Sequence, residues 1–232
     1  MRCYEAVPET TNGAVVVIQE AFGVNAHIED VTRRFAAAGY HAVAPDLFHR
    51  GGGGTADYGD FETVIKLFGS ISGDADVLTD VDAALDHLRS EGFEDAHIGI
   101  VGFCFGGRIS FLVSLERALG AGVGFYGGGI VTARFPQFPP IVDRTPTLQT
   151  PWLGLFGDLD TGISVEDVVT LQKELVHAPV ATEVVRYPYA AHAFHTRFRP
   201  DHYVETAAKD AWERTLCWLD QHLPARPGRS GG

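Results

Sequence analysis

Residues 98–107 read Ile-Gly-Ile-Val-Gly-Phe-Cys-Phe-Gly-Gly, an apolar run that leads at once into a turn framed by glycine. The run 98–101 is typical of a strand that is buried on both faces. Residues 102–107 follow the G-x-S-x-G pattern of a sharp turn from a strand into a helix, with Cys104 in the place of serine. Such a turn needs Gly102 and Gly106 because larger side chains would collide there. The stretch therefore predicts a strand, a tight turn that exposes Cys104, and a helix.

Strand and helix patterns alternate on both sides of this turn. Further strands are predicted at residues 15–18, 40–44, 123–126, 152–156 and 181–187. Helices are predicted at residues 28–38, 61–68, 75–88, 104–115, 165–176 and 203–223. This alternation predicts an α/β fold in a single domain, residues 1–223, with a mainly parallel sheet and helices on both faces. The tail, residues 224–232, has no apolar surface to pack and is expected to be disordered.

Composition and charge narrow the range of partners. The 232 residues carry a formal net charge of −12, and no Lys/Arg cluster offers the basic face that nucleic-acid binding needs. No apolar stretch is long enough for an export signal or a membrane span. Cys3, Cys104 and Cys217 are odd in number and widely spaced, which favours free thiols and a cytoplasmic location. We expect a small-molecule partner and a monomer or homodimer.

Cys104 is the candidate nucleophile. At a helix N-terminus, the helix dipole and the free N–H groups favour a thiolate, and the N–H of Phe105 can stabilise the oxyanion of an attacked carbonyl. The alternative is a buried cysteine that only packs, beside glycines that only let the helix approach the sheet. The position between a strand and a helix favours catalysis.

An acid and a base follow later strands, where functional residues of such sheets are expected. Asp160 lies after the strand 152–156, and His192 lies after the strand 181–187. The order Cys104, Asp160, His192 is the nucleophile, acid, base order of hydrolases with this turn. Asp158 is the alternative acid, and the spacing alone does not decide between it and Asp160.

A metal site is another use of the histidines. His192 and His195 are three residues apart, a spacing that two metal ligands on one helix often have. The sequence offers no third ligand in a suitable context. We therefore expect neither a metal nor any other cofactor.

These motifs resemble those of the dienelactone hydrolase family, also called carboxymethylenebutenolidases. The resemblance covers nearly the whole chain and rests on residues 19–25, 45–47, 102–107, 125–127, 157–160 and 191–194. It implies an α/β-hydrolase fold and a catalytic triad of Cys104, Asp160 and His192. It also implies that the N–H groups of Ala21 and Phe105 form the oxyanion hole.

The resemblance gives Glu20 a role as well. In the family, this glutamate contacts the resting thiol and helps to activate it when substrate arrives. A nearby carboxylate opposes thiolate formation, so the resting Cys104 would stay protonated and less easily oxidised.

The chain departs from the family where a substrate carboxylate would be held. The family's dienelactone hydrolases use two arginines, and Thr196 and Phe61 stand at the corresponding positions. Arg197, Arg50 and Lys66 are nearby alternatives that would restore an anion site.

The walls of the substrate site are expected to be apolar. Phe22, Phe103 and Tyr126 are the side chains that we expect to contact substrate. Without arginines, we expect neutral esters or lactones to be preferred over substrates that carry a carboxylate.

The sequence thus predicts a hydrolase that cleaves an ester or lactone through a thioester acyl-enzyme. The alternative is a sensor or binding protein that keeps the scaffold and its pocket but no longer turns over. The complete set of Cys104, Asp160 and His192 favours the enzyme, because a binding protein has less need of all three.

Overall fold

The computed structural model describes residues 1–224, and within them seven strands form one sheet. The strands are β1 (Cys3–Ala6), β2 (Gly13–Ile18), β3 (Tyr40–Pro45), β4 (Ile98–Phe103), β5 (Ala121–Phe125), β6 (Trp152–Gly157) and β7 (Thr182–Tyr187). Their order is β1-β3-β2-β4-β5-β6-β7, in which β1 pairs antiparallel with β3 and every other pair is parallel. The prediction of a mainly parallel α/β sheet is confirmed. Apart from Pro224, the tail expected to be disordered lies outside the described residues.

Helices cover both faces of the sheet. They are α1 (Ala26–Ala37), α2 (Phe61–Phe68), α3 (Asp74–Ser90), α4 (Phe105–Glu116), α5 (Val165–Leu175) and α6 (Glu205–His222). A Cβ added to Gly99 would contact Leu219 of α6, whereas a Cβ added to Gly122 would contact Ser114 of α4. Because Gly122 pairs with Ile100, the residue after Gly99, these contacts place α6 and α4 on opposite faces. No helix in this part of the chain has both the length and the apolar character needed to cross a bilayer.

The middle of the sheet is built from β2 and β4. Every residue of these two strands is buried. Their sequences, GAVVVI and IGIVGF, contain no polar side chain, as expected where helices cover both faces. β4 thus gives the turn at Cys104 a rigid support, and β2 does the same for the loop that carries Glu20.

β1 is a strand that the sequence patterns did not predict. It has four residues, and its side chains alternate between exposed and half-buried positions. A short edge strand buries one face only, so its sequence lacks the continuous apolar run that marks the central strands. β1 extends the sheet beyond β3 with Glu5 opposite Val43.

The loops after four parallel strands meet at one edge of the sheet. Glu20 follows β2, Cys104 follows β4, Asp160 follows β6, and His192 follows β7. The carboxyl ends of parallel strands lie on the same edge, so the fold brings these four chain segments together.

Candidate active site

The turn at Cys104 has the strained backbone that its sequence predicts. Cys104 has φ +55°, and it lies between the end of β4 and the start of α4. A Cβ on Gly102 would lie 1.8 Å from the carbonyl oxygen of Gly106, and a Cβ on Gly106 would lie 2.4 Å from that of Ile18. Real Cβ atoms do not come so close to backbone oxygens, so both positions require glycine. Close backbone contacts at these two glycines therefore help to hold the thiol at the edge of the sheet.

His192 joins the thiol to a carboxylate. Its Nε2 lies 3.0 Å from Sγ of Cys104, and its Nδ1 lies 2.6 Å from Oδ2 of Asp160. The other oxygen of Asp160 accepts hydrogen bonds from the backbone N–H groups of Gly162 and Ile163, at 2.8 and 3.1 Å. These bonds fix the buried carboxylate, which in turn fixes the orientation of the imidazole.

Asp158, the alternative acid, lies elsewhere. Its two carboxylate oxygens accept hydrogen bonds from Nε and Nη2 of Arg186, at 2.7 and 2.9 Å. Arg186 is on β7, so this ion pair joins the turn after β6 to the neighbouring strand. The geometry thus separates two carboxylates that the sequence spacing left equivalent.

The surroundings of His192 favour its charged form. Burial on its own would lower the pKa of His192, but a Cys104 thiolate and the hydrogen bonds with Asp160 and Cys104 raise it to about 10. The imidazole is therefore an imidazolium at neutral pH when Cys104 is a thiolate. Such an ion pair is the usual activated form of a cysteine nucleophile.

Glu20 is buried near the thiol but is bonded to another group. The hydroxyl of Tyr58 donates to Oε2 of Glu20 at 3.1 Å, and the hydrogen bond of Cys104 in the described structure is with His192. Burial raises the pKa of Tyr126, and the negative charges of Glu20 and Cys104 raise it further. Both anionic groups therefore lie close enough to the Tyr126 hydroxyl to affect it. Among residues 1–224, Glu20 and the thiol are not joined by a hydrogen bond, although the family resemblance implies that the two groups touch.

A cavity of about 570 Å³ opens beside the thiol. Cys104, His192 and Asp160 line it, together with Ala21 and Phe105, the two residues expected to supply oxyanion N–H groups. Phe105 is the first residue of α4, so its N–H has no carbonyl of its own helix to bond. Further walls are aromatic or aliphatic side chains: Phe22, Phe61, Val64, Ile65, Phe68, Phe135 and Phe138.

Two of the three expected substrate contacts are not at the cavity. Phe22 lines it, but Phe103 and Tyr126 are fully buried and do not. Phe103 stacks on Phe125 beneath the turn, with 4.6 Å between ring centroids. Tyr126 packs against the imidazole of His192, at 5.0 Å. The structure thus places Phe103 and Tyr126 in the core, where their rings support the turn and the base, and not in the wall of the cavity.

The cavity is lined by arginines other than the alternatives that the sequence offered. Arg134 and Arg199, which no sequence pattern marks, line the cavity, and so does Arg108, which pairs with Asp74. Glycine at positions 128 and 162 makes room for Arg134, because a Cβ at either would lie 2.7 Å from one of its guanidinium nitrogens. Arg199 lies over the ring of Tyr58 and contacts Nε2 of His202. Arg134 comes from the Gly- and Pro-rich segment after β5, where no periodic pattern signals which side chains turn inward.

The alternative anion-binding residues, Arg50, Lys66 and Arg197, have other neighbours. Arg50 pairs with Asp80, and Lys66 pairs with Glu62 on the surface of α2. Arg197 lies in a separate cleft next to Tyr203. None of the three lines the cavity beside Cys104.

His195 does not join His192 in a metal site. Its ring stacks between Phe103 and Trp212, at 5.4 and 6.0 Å, and is buried. Both ring nitrogens of His192 face Cys104 and Asp160. His195 therefore packs in the core, and His192 belongs to the triad.

Comparisons with known proteins place nearly the whole chain in one family. A model of the dienelactone hydrolase family matches residues 1–223. The chain is 39% identical over 228 residues to a Salmonella typhimurium protein named for carboxymethylenebutenolidase activity, covering 96% of this chain and 83% of that protein. It is 33% identical over 214 residues to a Bradyrhizobium protein named as a 2-oxo-3-(5-oxofuran-2-ylidene)propanoate lactonase, covering 90% and 84%. A solved Klebsiella pneumoniae structure described as a dienelactone hydrolase has 38% identity and a TM-score of 0.85, covering 94% of this chain and 92% of that one.

Proposed function

The chain belongs to the dienelactone hydrolase family, and from this premise we propose that it cleaves esters or lactones with Cys104 as the nucleophile. The observation that carries the proposal is the pair of contacts at His192, 3.0 Å to Sγ of Cys104 and 2.6 Å to Oδ2 of Asp160. A thiol, a base and an orienting carboxylate in this chain of contacts are what nucleophilic acyl transfer needs.

The first half of the reaction forms a thioester. His192 takes the thiol proton, and the Cys104 thiolate attacks the carbonyl carbon of the substrate. The carbonyl electron pair moves to oxygen, and the N–H groups of Ala21 and Phe105 stabilise the oxyanion. When the intermediate collapses, the C–O bond of the ester breaks, and Nε2 of His192 gives its proton to the leaving alkoxide. In a lactone, this alkoxide stays attached to the acyl group.

The second half releases the acid. His192 takes a proton from water as the water oxygen attacks the thioester carbonyl. Collapse of this intermediate breaks the C–S bond and returns Cys104 to a thiolate beside the imidazolium. Asp160 stabilises the imidazolium in both halves. Every step uses side chains of this chain, water and substrate.

The remaining expectations are part of the same proposal. A cytoplasmic location fits a thiol nucleophile, because reducing conditions keep Cys104 from forming disulfides. The net charge of −12 disfavours nucleic acid as a partner. We propose that the chain acts on its small-molecule substrate as a monomer or homodimer.

Replacement of the nucleophile tests the proposal. We expect Cys104→Ala to abolish hydrolysis of p-nitrophenyl acetate and of a simple lactone, because the thioester cannot form. Cys217→Ala is the matched control, since it removes an exposed free thiol and leaves the cavity intact. Mass spectrometry of quenched wild-type enzyme should detect an acyl group on the peptide that contains Cys104. Turnover in Cys104→Ala at the wild-type rate contradicts the mechanism, and a wild-type protein that binds substrate without turnover supports the sensor.

A further inference from the structure

A second group of chemically reactive side chains lies at the opposite edge of the sheet from the cavity. Glu5 is on β1, His41 is the second residue of β3, and His87 is in the last turn of α3. The triad follows the carboxyl ends of the strands, whereas His41 is at the amino end of its strand. The Glu5–His41–His87 cluster is therefore separate from the catalytic centre.

The three side chains converge on one point. Oε1 of Glu5 lies 2.6 Å from Nε2 of His41 and 2.8 Å from Nε2 of His87. All three ligand atoms lie within 4.8 Å of one another, which holds for no other such group of His, Cys, Asp or Glu in residues 1–224. The side chain of His41 is 8% exposed, while those of Glu5 and His87 are 37% and 39% exposed, so the point is reachable from solvent.

We propose that the Glu5–His41–His87 cluster is a binding site for a divalent first-row transition metal ion such as Zn²⁺, Ni²⁺ or Co²⁺. Two imidazoles and one carboxylate are a donor set that these ions favour, whereas Mg²⁺ and Ca²⁺ favour oxygen ligands alone. Three protein ligands leave a fourth position for water. The donors come from two strands and a helix, so no pattern of local spacing in the sequence reveals them.

Little movement is needed to admit the ion. Metal–ligand bonds of about 2.0–2.2 Å place tetrahedral ligand atoms about 3.3–3.6 Å apart. Oε1 must therefore withdraw by up to about 1 Å from each Nε2. The two Nε2 atoms, which lie within 4.8 Å of each other, must reach the same spacing, and the partly exposed side chains of Glu5 and His87 permit both adjustments. Each neutral imidazole moves its proton to Nδ1 and presents the Nε2 lone pair to the ion.

The bound ion would join the edge strand to the body of the fold. β1 is held by its pairing with β3 alone within the sheet, and the ion would connect β1 and β3 to α3. An ion that binds only the folded state raises the melting temperature. At a free concentration ten times Kd, the expected rise is about 3–6 °C for a chain of this size.

The test uses the full chain after alkylation with iodoacetamide, because the thiols and the triad would otherwise compete for metal. Titration with Co²⁺, Ni²⁺ and Zn²⁺ by calorimetry should give saturable binding of one equivalent, and Mg²⁺ should give none. The visible spectrum of the Co²⁺ form should show nitrogen and oxygen coordination without a thiolate charge-transfer band. The melting temperature should rise with Ni²⁺ and return to its starting value with a chelator.

Variants identify the site. His87→Gln and Glu5→Gln should each weaken binding at least about tenfold. Both positions are partly exposed, so these two variants should keep the fold even if His41→Gln, at a buried position, does not fold. His49→Gln is the matched control, because His49 pairs with the carboxylate of Asp80 at 2.9 Å but is not part of a converging set of three ligand side chains in residues 1–224. Equal binding in the wild type and His87→Gln would overturn the proposal. So would the absence of saturable binding after alkylation.

Discussion

At the scale of single residues, the structure assigns different tasks to groups that the sequence presents alike. Asp158 and Asp160 are two positions apart, yet one bonds Arg186 and the other bonds His192. His192 and His195 are three positions apart, yet only His192 faces the thiol. In the turn after a strand the regular alternation of side chains ends, so the geometry is needed to decide which side chain meets the nucleophile.

The two aspartates give a direct comparison. We expect Asp160→Asn to lower kcat/KM for p-nitrophenyl acetate by orders of magnitude, because the imidazolium loses its partner and its orientation. Asp158→Asn should leave kcat/KM within about threefold of the wild type, since it breaks a partly exposed ion pair with Arg186. The reverse pattern would mean that Asp158 is the catalytic acid.

The charge of His192 depends on the thiol beside it. Because its pKa in the folded protein, about 10, lies above its ordinary value of about 6.5, the imidazolium contributes stability that is fully present below pH ~6.5. This contribution is lost as the pH rises through about 10. Titration of the ring proton by NMR should give a midpoint near 10 in the wild type and a much lower one in Cys104→Ala. Equal midpoints would show that Cys104 is not charged beside His192.

Glu20 is the residue whose role follows from resemblance and not from a contact. If its charge opposes the thiolate, Glu20→Gln should increase the rate of iodoacetamide labelling of Cys104 at neutral pH several-fold. Glu9→Gln is the control, because Glu9 is exposed. If Glu20→Gln, Glu9→Gln and the wild type are all labelled at the same rate, the charge of Glu20 does not act on the thiol. Its role is then confined to the hydrogen bond with Tyr58.

At the scale of elements, the turn between β4 and α4 is held by backbone contacts. Its strand, its turn and its helix could be predicted because each has a local cause: an apolar run, framing glycines and a helical repeat. β1 could not be predicted, because four residues with one buried face give a pattern too short to read. The observed helix boundaries differ from the predicted ones by at most two residues, which is the usual uncertainty at frayed or capped ends.

The tight packing at Gly102 also leads to a prediction about the free energy of unfolding. A methyl group on Gly102 would lie 1.8 Å from the carbonyl oxygen of Gly106, which cannot move without shifting α4. We expect Gly102→Ala to lower the free energy of unfolding by at least about 3 kcal/mol, measured by urea denaturation. Gly69→Ala is the control, since its Cβ would come no closer than 3.3 Å to a neighbouring atom and its backbone is right-handed helical. Similar losses in the two variants would contradict a special constraint at Gly102.

At the scale of the whole molecule, the cavity is assembled from segments that are far apart in sequence. α2, the segment after β5 and the segment after β7 each supply part of the wall. The triad could be predicted because its members follow recognisable strands in a fixed order. Arg134, Phe135 and Phe138 could not, because they lie in a segment without periodicity whose inward side chains are set by contacts with distant elements.

The cavity reverses the substrate preference expected from sequence. Arg134 and Arg199 line a mainly apolar cavity, whose third arginine, Arg108, is paired with Asp74, so we now expect a lactone that carries a free carboxylate to be a better substrate than its methyl ester. Each charge-assisted contact contributes about 1.5–3 kcal/mol, so Arg134→Gln or Arg199→Gln should lower kcat/KM for the acid about ten- to a hundredfold. Both variants should leave the value for the ester nearly unchanged. Arg197→Gln is the control, because Arg197 lies in a different cleft. A preference for the ester in the wild type would restore the original expectation.

The wide separation of the triad along the chain has a consequence for biosynthesis. Cys104 and His192 are 88 residues apart, and β5, β6 and β7 must be made and added to the sheet before they meet. On the ribosome, β1 to β4 and the turn around Cys104 emerge first, while the base and its carboxylate are still to be translated. A nascent chain therefore carries the thiol without its base and its carboxylate. Full chemical reactivity at this cysteine therefore has to wait until His192 has been translated and β7 has joined the sheet.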